Sequence, residues 1–143
     1  MKTYVEFCSN EFPRYEDEDG FVNPDIFGKR LAEFLHRQLN NNGIKAEEPF
    51  AEDWGWVIPI PNERFRTWIG CGNYTEYPNG FLCFIEPHTP IIRRFFVKKI
   101  DTTKFIESIY NILDVSLKNC QGVSNIKWWT HKEFNNRTSG NEK

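Results

Sequence analysis

Three side chains in the middle of the chain have the types and spacing for nucleophilic catalysis. Cys71 lies in the segment GCGN, and a single proline separates Glu86 from His88. A cysteine nucleophile needs a base within hydrogen-bond reach, so Cys71 and His88 would form the reacting pair. Asn73 and Glu86 would complete such a site. The surrounding pattern is that of a strand interior and not of a helix N-terminus, which favours a buried, inert thiol at Cys71.

Metal binding finds little support in the spacing of carboxylates and histidines. Glu86 and His88 are too few ligands for a metal ion. The loop YEDEDG resembles a calcium loop, but with Gly20 at the invariant glycine the end ligand positions fall on Tyr15 and Ile26. We therefore expect no metal and no cofactor. The acidic residues of this loop are interpreted as solvated or as a patch for a basic partner: Glu16, Asp17, Glu18 and Asp19.

The stretch EDWGW joins two carboxylates to two tryptophans at the start of a strand. Trp54 and Trp56 are two residues apart, so we expect them on the same strand face, with room at Gly55 for another backbone or ring. In one interpretation both rings pack in the core. In the other they form an exposed plate, rimmed by Glu52 and Asp53, that anchors a partner or holds a cationic group.

Basic and aromatic residues are mixed between Arg93 and Lys99, in the segment RRFFVKK. Such a mixture serves RNA or single-stranded DNA in some proteins, and in others it is a strand with a charged edge that prevents edge-to-edge pairing. The net charge of the chain is −2, which disfavours nucleic acid as a partner. The chain contains no phosphate-binding loop, dinucleotide fingerprint, nucleophile elbow or zinc-peptidase motif.

The composition indicates one globular domain with an aromatic-rich core. The chain has 143 residues, of which 16% are aromatic, and its four cysteines form no C-x-x-C pair. Cysteines in apolar surroundings behave as small buried hydrophobic residues, so we expect reduced thiols and a cytoplasmic protein. The N-terminus has no signal-peptide pattern, and no apolar run approaches the roughly 20 residues that span a bilayer.

The elements that must position these residues follow the order β-α-β(3–5)-α-β. The alternation in 2–8 predicts a first strand, Asn23-Pro24 is a helix start, and Phe27 to Leu39 supplies one apolar helix face. Asp101 can cap a second helix that Gly122 ends. The remaining predicted strands are 44–50, 54–60, 65–74, 81–85, 91–100 and 123–130.

Each of the two predicted helices is apolar on one side only. This pattern favours a single sheet with both helices packed on the same face. We therefore predict an α+β fold with an antiparallel or mixed sheet of five or six strands. Residues 1–134 are expected to form a single domain, and the polar segment 135–143 a flexible tail.

Four motifs together resemble a group of small bacterial proteins of unknown function: EDWGW, WIGCGNY, FLCFIEP and a late WWT. The resemblance covers the chain from the first helix to Thr130 and implies no particular activity. In size and style the chain also resembles the immunity proteins of bacterial toxin systems, which are small acidic α/β domains that block a toxin by binding it. That likeness implies a protein partner, such as a basic toxin or effector, and no membrane.

Two main functional hypotheses follow, and a third, less favoured one is salt-dependent binding of RNA or single-stranded DNA through Arg93 to Lys99. The first is a cytosolic protein-binding module, of the immunity or inhibitor kind, that covers a basic site on its partner with the acidic loop and EDWGW. The second is a small enzyme with a site around Cys71, Glu86 and His88. The first is preferred because each catalytic pattern has a simpler structural interpretation. The sequence does not determine an oligomeric state.

Overall fold

Eight strands and three α-helices form the part of the chain that a computed structural model describes, residues 1–20, 25–95 and 98–141. The strands are β1 (Lys2–Ser9), β2 (Phe50–Glu52), β3 (Gly55–Ile60), β4 (Thr67–Asn73), β5 (Gly80–Glu86), β6 (Ile91–Arg94), β7 (Lys98–Asp101) and β8 (Val123–Thr130). The helices are α1 (Lys29–Asn41), α2 (Thr103–Lys118) and α3 (His131–Asn141), with a short 3-10 helix at Glu16–Gly20. The predicted α+β class is confirmed.

Six of these strands form one sheet, in the order β2-β3-β4-β5-β1-β8, and every neighbouring pair is antiparallel. α1 packs against β3 and β4, α2 packs against β5 and β8, and the two helices contact each other. The six-stranded antiparallel sheet agrees with the prediction. The face of the sheet that α1 and α2 cover is the helix face, and the opposite one is the open face.

The hydrophobic core lies between the helix face and these two helices. Every second residue of the central strands points into it, and each helix contributes side chains one turn apart. Burying such a side chain fully contributes about 1.5–3 kcal/mol. Buried core residues include Val5, Phe7, Trp56, Ile58, Ile60, Ile69, Cys71, Cys83 and Ile85 from the strands, and Leu31, Leu35, Leu39, Ile109, Leu113 and Leu117 from the helices.

α1 begins later than the sequence indicated. The predicted start, Asn23-Pro24, lies outside the described residues, and Phe27 comes before the first helical residue, Lys29. The helix ends within the NNNG segment, as predicted. Gly43 has a φ of +84° there, a left-handed conformation that glycine adopts without the steric penalty of other residues.

The segment predicted as one strand, 91–100, is a hairpin separate from the main sheet. β6 pairs antiparallel with β7, placing Arg93 opposite Lys99 and Arg94 opposite Lys98. Phe95 follows β6 with a φ of +55°, a left-handed conformation typical of a turn, so the chain does not continue as an extended strand. Among the described residues, six strands therefore lie between α1 and α2, where three to five were predicted.

A third helix, α3, occupies much of the segment for which a flexible tail was predicted. Its start is a capping box: the Glu133 backbone N–H donates to Thr130 Oγ1 at 3.0 Å, and the Thr130 backbone N–H donates to Glu133 Oε1 at 2.9 Å. Phe134 then stacks on Tyr4 of β1, with ring centroids 4.8 Å apart. The pattern T-x-x-E at 130–133 is the local sequence signal of this helix start, which was not predicted.

Candidate functional site

The open face carries a row of aromatic rings from neighbouring strands. Tyr4 stacks on Phe84 with centroids 5.5 Å apart, because β1 and β5 place these residues opposite each other. Phe84 in turn meets the ring of Trp68 at 5.5 Å and the ring of Trp54 at 5.3 Å. Trp54 and Trp68 lie 6.0 Å apart. α1 and α2 do not cover these rings, so the row is not part of the main core.

Gly70 makes this row possible. It lies opposite Phe84 in the β4–β5 pairing, and a Cβ atom built on Gly70 would overlap the Phe84 ring. The phenyl ring therefore rests on bare backbone. An aromatic ring that covers the bare backbone of a glycine is a common way to fill the face of a sheet.

Trp54 and Trp56 lie on opposite sides of the sheet, so the prediction that they share a face is wrong. Trp56 is 8% exposed and belongs to the core, whereas Trp54 is 44% exposed and packs on the open-face rings. The strict alternation fails because β3 begins at Gly55 and Trp54 belongs to the preceding turn. Trp56 is therefore a structural residue, and Trp54 is the tryptophan of EDWGW that is exposed to solvent.

Backbone packing at Gly72 joins two segments that are distant in sequence. A Cβ atom at Gly72 would lie 3.5 Å from the carbonyl oxygens of both Phe27 and Trp54. Asn73 secures the first segment, because its Oδ1 accepts from the Phe27 N–H at 3.0 Å and its Nδ2 donates to the Asp25 carbonyl at 2.8 Å. The start of α1, which follows the acidic loop, is thereby held beside the turn that carries Trp54.

Both predicted acidic patches consequently lie at one corner of the molecule. Lys29, at the start of α1, lies near both segments: its Nζ is 3.6 Å from Asp17 Oδ2 and 5.9 Å from the centre of the ring of Trp56, the core tryptophan of EDWGW. The sequence motifs alone did not indicate this proximity. The acidic corner is defined as the four exposed acids and the half-exposed ring that meet there: Glu16, Asp17, Glu52, Asp53 and Trp54.

Glu18 was predicted as part of the partner-binding patch, but the structure buries it. The side chain is 1% exposed. Its Oε1 accepts from the Tyr15 N–H at 2.9 Å, and its Oε2 accepts from the N–H groups of Gly28 at 3.1 Å and Lys29 at 3.2 Å. A carboxylate satisfies free N–H groups and complements the dipole at the start of α1. Glu18 is thus a helix-capping residue. The Asp19 side chain lies outside the description.

The charges at the acidic corner are unevenly paired. Asp17 is matched by Lys29, while Glu52 and Asp53 form no ion pair within residues 1–20, 25–95 and 98–141. The nearby Arg30 guanidinium is placed 3.9 Å from the centre of the Tyr15 ring and donates to the Pro13 carbonyl at 3.1 Å. Unpaired negative charge is therefore concentrated beside Trp54.

The candidate catalytic residues are not brought together. Cys71 is 1% exposed on the helix face, directly opposite Cys83, and burial together with a hydrogen bond to Cys71 raises the pKa of the Cys83 thiol. Glu86 lies on the open face opposite Trp68. His88 Nδ1 is 3.1 Å from Glu86 Oε1, and its ring stacks on His131 with centroids 3.7 Å apart. The sheet thus separates the thiol from the imidazole.

All four cysteines are free. Within the segments that the structure describes, no group of three or more His, Cys, Asp or Glu side chains is arranged to hold a metal ion. Asn73, the fourth member of the predicted catalytic group, uses its side chain to hold residues 25–27 in place.

A cluster of polar side chains under α3 was not predicted from the sequence. The Arg137 guanidinium lies 3.1 Å from Glu6 Oε2 and donates to the Tyr74 hydroxyl at 2.8 Å and the Tyr77 hydroxyl at 2.5 Å. Glu6 is a buried acid on the open face of β1, and such a group needs a partner. The isolated Glu6 in a strand pattern was the available signal in the sequence.

Comparison with known proteins provides no identification. No family model, curated protein or solved structure matches the chain. Among the described helices, none combines the length and the apolar character needed to cross a membrane.

Proposed function

We propose that the protein is a protein-binding module of the inhibitor or immunity kind, which covers a basic site on its partner with the acidic corner. The observation that carries the proposal is the position of Trp54. Its ring is 44% exposed, is supported from behind by Trp68 and Phe84, and stands beside the unpaired carboxylates of Glu52 and Asp53.

An anchor of this kind binds well for two physical reasons. A tryptophan whose ring is already packed against Trp68 and Phe84 loses little rotamer freedom when a partner covers it. Tryptophan is also among the residues enriched at the hot spots of protein interfaces. Trp54 therefore combines a large contact area with a small entropy cost.

The acidic residues around this anchor favour a basic partner. Glu52 and Asp53 directly precede Trp54 in the chain and are exposed, and Glu16 is an exposed acid at the same corner. Complementary charge mainly accelerates association and excludes like-charged partners, and its effect weakens as salt screens it. The general likeness to toxin-immunity proteins supports a basic toxin or effector as the first class of partner to test.

The alternative of a small enzyme has weaker support. Its nucleophile, Cys71, is buried between the sheet and the helices, and His88 lies at the opposite face with Glu86 and His131. An acyl-transfer or thiol chemistry would need the thiolate and the base to be in contact.

The test is affinity capture from bacterial lysates with the wild type and matched variants. We expect one protein partner at a defined stoichiometry. Trp54→Ala should weaken its binding by more than about 10-fold, the scale of a hot-spot residue. Val115→Ala is the control, because Val115 is an apolar residue on α2, 55% exposed and remote from the acidic corner.

Charge is tested separately. Glu52→Gln with Asp53→Asn should slow association and reduce its dependence on salt, whereas Glu48→Gln with Glu107→Gln removes the same charge from exposed positions outside the corner. The proposal would be refuted if the partner bound the Trp54→Ala variant and the Glu52/Asp53 variant with the same affinity as the wild type.

A further inference from the structure

A cleft lined by arginines lies beside the open face, at the end of the sheet away from Tyr4. The β6–β7 hairpin forms one wall of the cleft, and the connection between β3 and β4 forms the other. The cavity has a volume of about 540 Å³, within the range of ordinary ligand sites. Its basic lining residues are Arg64, Arg66, Arg93 and Arg94.

The four guanidinium groups are not neutralised by their surroundings. None forms an ion pair within 4.0 Å among the residues that the structure describes, and Arg94 donates to the Arg64 carbonyl at 3.3 Å. Two acids, Glu47 and Glu63, also line the cleft, so positive charge remains in excess. Like charges that lie close together repel one another and destabilise the folded state, and a bound ligand of opposite charge relieves this repulsion.

One further acid stands near the cleft. Hydrogen bonds from Thr103 lower the pKa of the Asp101 carboxyl, and the charge of Arg64 lowers the pKa further. Asp101 already accepts the Thr103 N–H at 2.9 Å at the start of α2. The Asp101 carboxylate is therefore ionised and offsets part of the arginine charge, and together with Glu47 and Glu63 it still leaves a net positive charge at the cleft.

Aromatic surface adjoins this positive charge. Phe50, which is 43% exposed, and Trp68 both line the cleft, and Trp68 is also a member of the open-face row. Phe95 extends the apolar surface at the hairpin turn: its ring is 80% exposed, and the Arg94 guanidinium lies 5.7 Å from its centre. Exposing a phenylalanine ring to water and holding its backbone in the left-handed region both destabilise the free protein. Such features concentrate at binding sites.

We propose that this cleft binds single-stranded nucleic acid, with the arginines on the phosphates and the exposed rings stacked on bases. Guanidinium groups match phosphate oxygens in bidentate geometry, and aromatic rings stack on any base. The exposed ring of Phe95 lies outside the cavity lining and next to Arg94, so aromatic surface continues beyond the cleft. This favours a strand over a free nucleotide. This differs from the expectation drawn from the net charge of −2, because the arginines are gathered at the cleft while the unpaired acids lie at the acidic corner. The inference is independent of the proposed protein-binding role of that corner.

The probes are fluorescently labelled decamers of deoxythymidine and of uridine, titrated with the full chain from 50 to 200 mM NaCl while anisotropy is recorded. With four phosphate contacts, log Kd should change with log salt concentration with a slope of about 3, since each contact on a single strand contributes about 0.7. AMP, ATP and a polyglutamate peptide are used as competitors.

Arg93→Ala with Arg94→Ala should weaken oligonucleotide binding by at least about 10-fold. Lys104→Ala with Lys132→Ala, which removes the same charge from exposed positions on α2 and α3, should change binding by less than about 3-fold. A second variant, Arg64→Ala with Arg66→Ala, removes the charges of the opposite wall. It is used in place of the Arg93/Arg94 variant if thermal melting shows that the Arg93/Arg94 variant is less stable than the wild type. Phe50→Ala should weaken binding without changing the salt slope.

Four results would overturn the proposal. The first is the absence of binding by both oligonucleotides at 50 mM salt. The second is an equal loss of binding in the Lys104/Lys132 control. The third is full displacement of the strand by AMP or ATP at the same concentration, which would show a free-nucleotide site. The fourth is displacement by the polyglutamate peptide, which would show a site for an acidic protein segment.

Discussion

The guanidinium of Arg137, on α3, lies 3.1 Å from the carboxylate of Glu6, on β1. Both side chains are largely removed from water, with 17% and 7% exposed. This contact and the stacking of Phe134 on Tyr4 hold α3 against one end of the open face. Within the described residues, the other end, which carries Trp54 and the arginine cleft, is left uncovered.

Removal of Arg137 should therefore destabilise the protein. In Arg137→Ala the buried Glu6 carboxylate loses its counter-charge, and we expect a loss of about 2 kcal/mol in the free energy of unfolding. Urea denaturation measures this. Glu6→Gln should be better tolerated in the Arg137→Ala background than in the wild type, because the amide carries no charge. Additive effects of the two substitutions would contradict the ion contact.

Glu18 should contribute far more stability than its neighbour. Glu18→Ala leaves the N–H groups of Gly28 and Lys29 without their acceptor, so we expect a loss of about 2–3 kcal/mol, the scale of buried hydrogen bonds to a charged group. Glu16→Ala is the matched control: the same substitution two residues earlier, at an exposed position, should change stability by less than about 0.5 kcal/mol. Equal effects in urea would refute the capping role.

Substitution of Gly70 tests the packing of the open-face rings. Gly70→Ala places a methyl group inside the Phe84 ring position, and we expect a loss of about 1–3 kcal/mol from overpacking. Phe84→Leu removes the planar ring, so Gly70→Ala should be less destabilising when both changes are combined. A double-mutant cycle in urea measures the coupling, and a coupling energy near zero would contradict this arrangement.

Acid should loosen the start of α3 through Glu133. Hydrogen bonding to the Thr130 backbone N–H, together with the Thr130 side chain, lowers the pKa of Glu133 from its ordinary value of 4.5. A lowered folded-state pKa stabilises the folded state above pH 4.5, and this stabilisation disappears as the pH falls through the lowered pKa. NMR titration of Glu133 should give a midpoint below 4.5. A midpoint at or above that value in the wild type would exclude the capping box.

Thiol labelling distinguishes the binding module from the cysteine enzyme. Cys71 and Cys83 are buried, and the raised pKa of Cys83 further lowers its thiolate fraction. With a disulfide reagent at neutral pH we expect Cys8 and Cys120, which are partly exposed, to react first. Cys71 should react only as the protein unfolds. Rapid labelling of Cys71 in the folded protein would instead support the enzyme hypothesis.

Local patterns in the sequence were sufficient for most of the core. Alternation placed Trp56, Ile58 and Ile60 on one face, because a strand has a period of two residues whatever it packs against. The same rule failed for Trp54, since a turn separates this residue from the strand. The capping box at Thr130 and Glu133 was also readable, because it depends on residues only three apart.

The sequence by itself determined the α+β class, the apolar faces of α1 and α2 and the charged, aromatic character of EDWGW, because these depend on contacts within one element. Tertiary structure alone decided which acids are functional candidates. Glu18 is buried and caps the start of α1, whereas Glu52 and Asp53 are exposed near the acidic loop. The packing of Phe27 and Trp54 on Gly72 joins segments more than 25 residues apart, and the burial of Cys71 follows from the helices that cover its strand. Contacts of this kind depend on how the whole chain folds back on itself, which local periodicity does not encode.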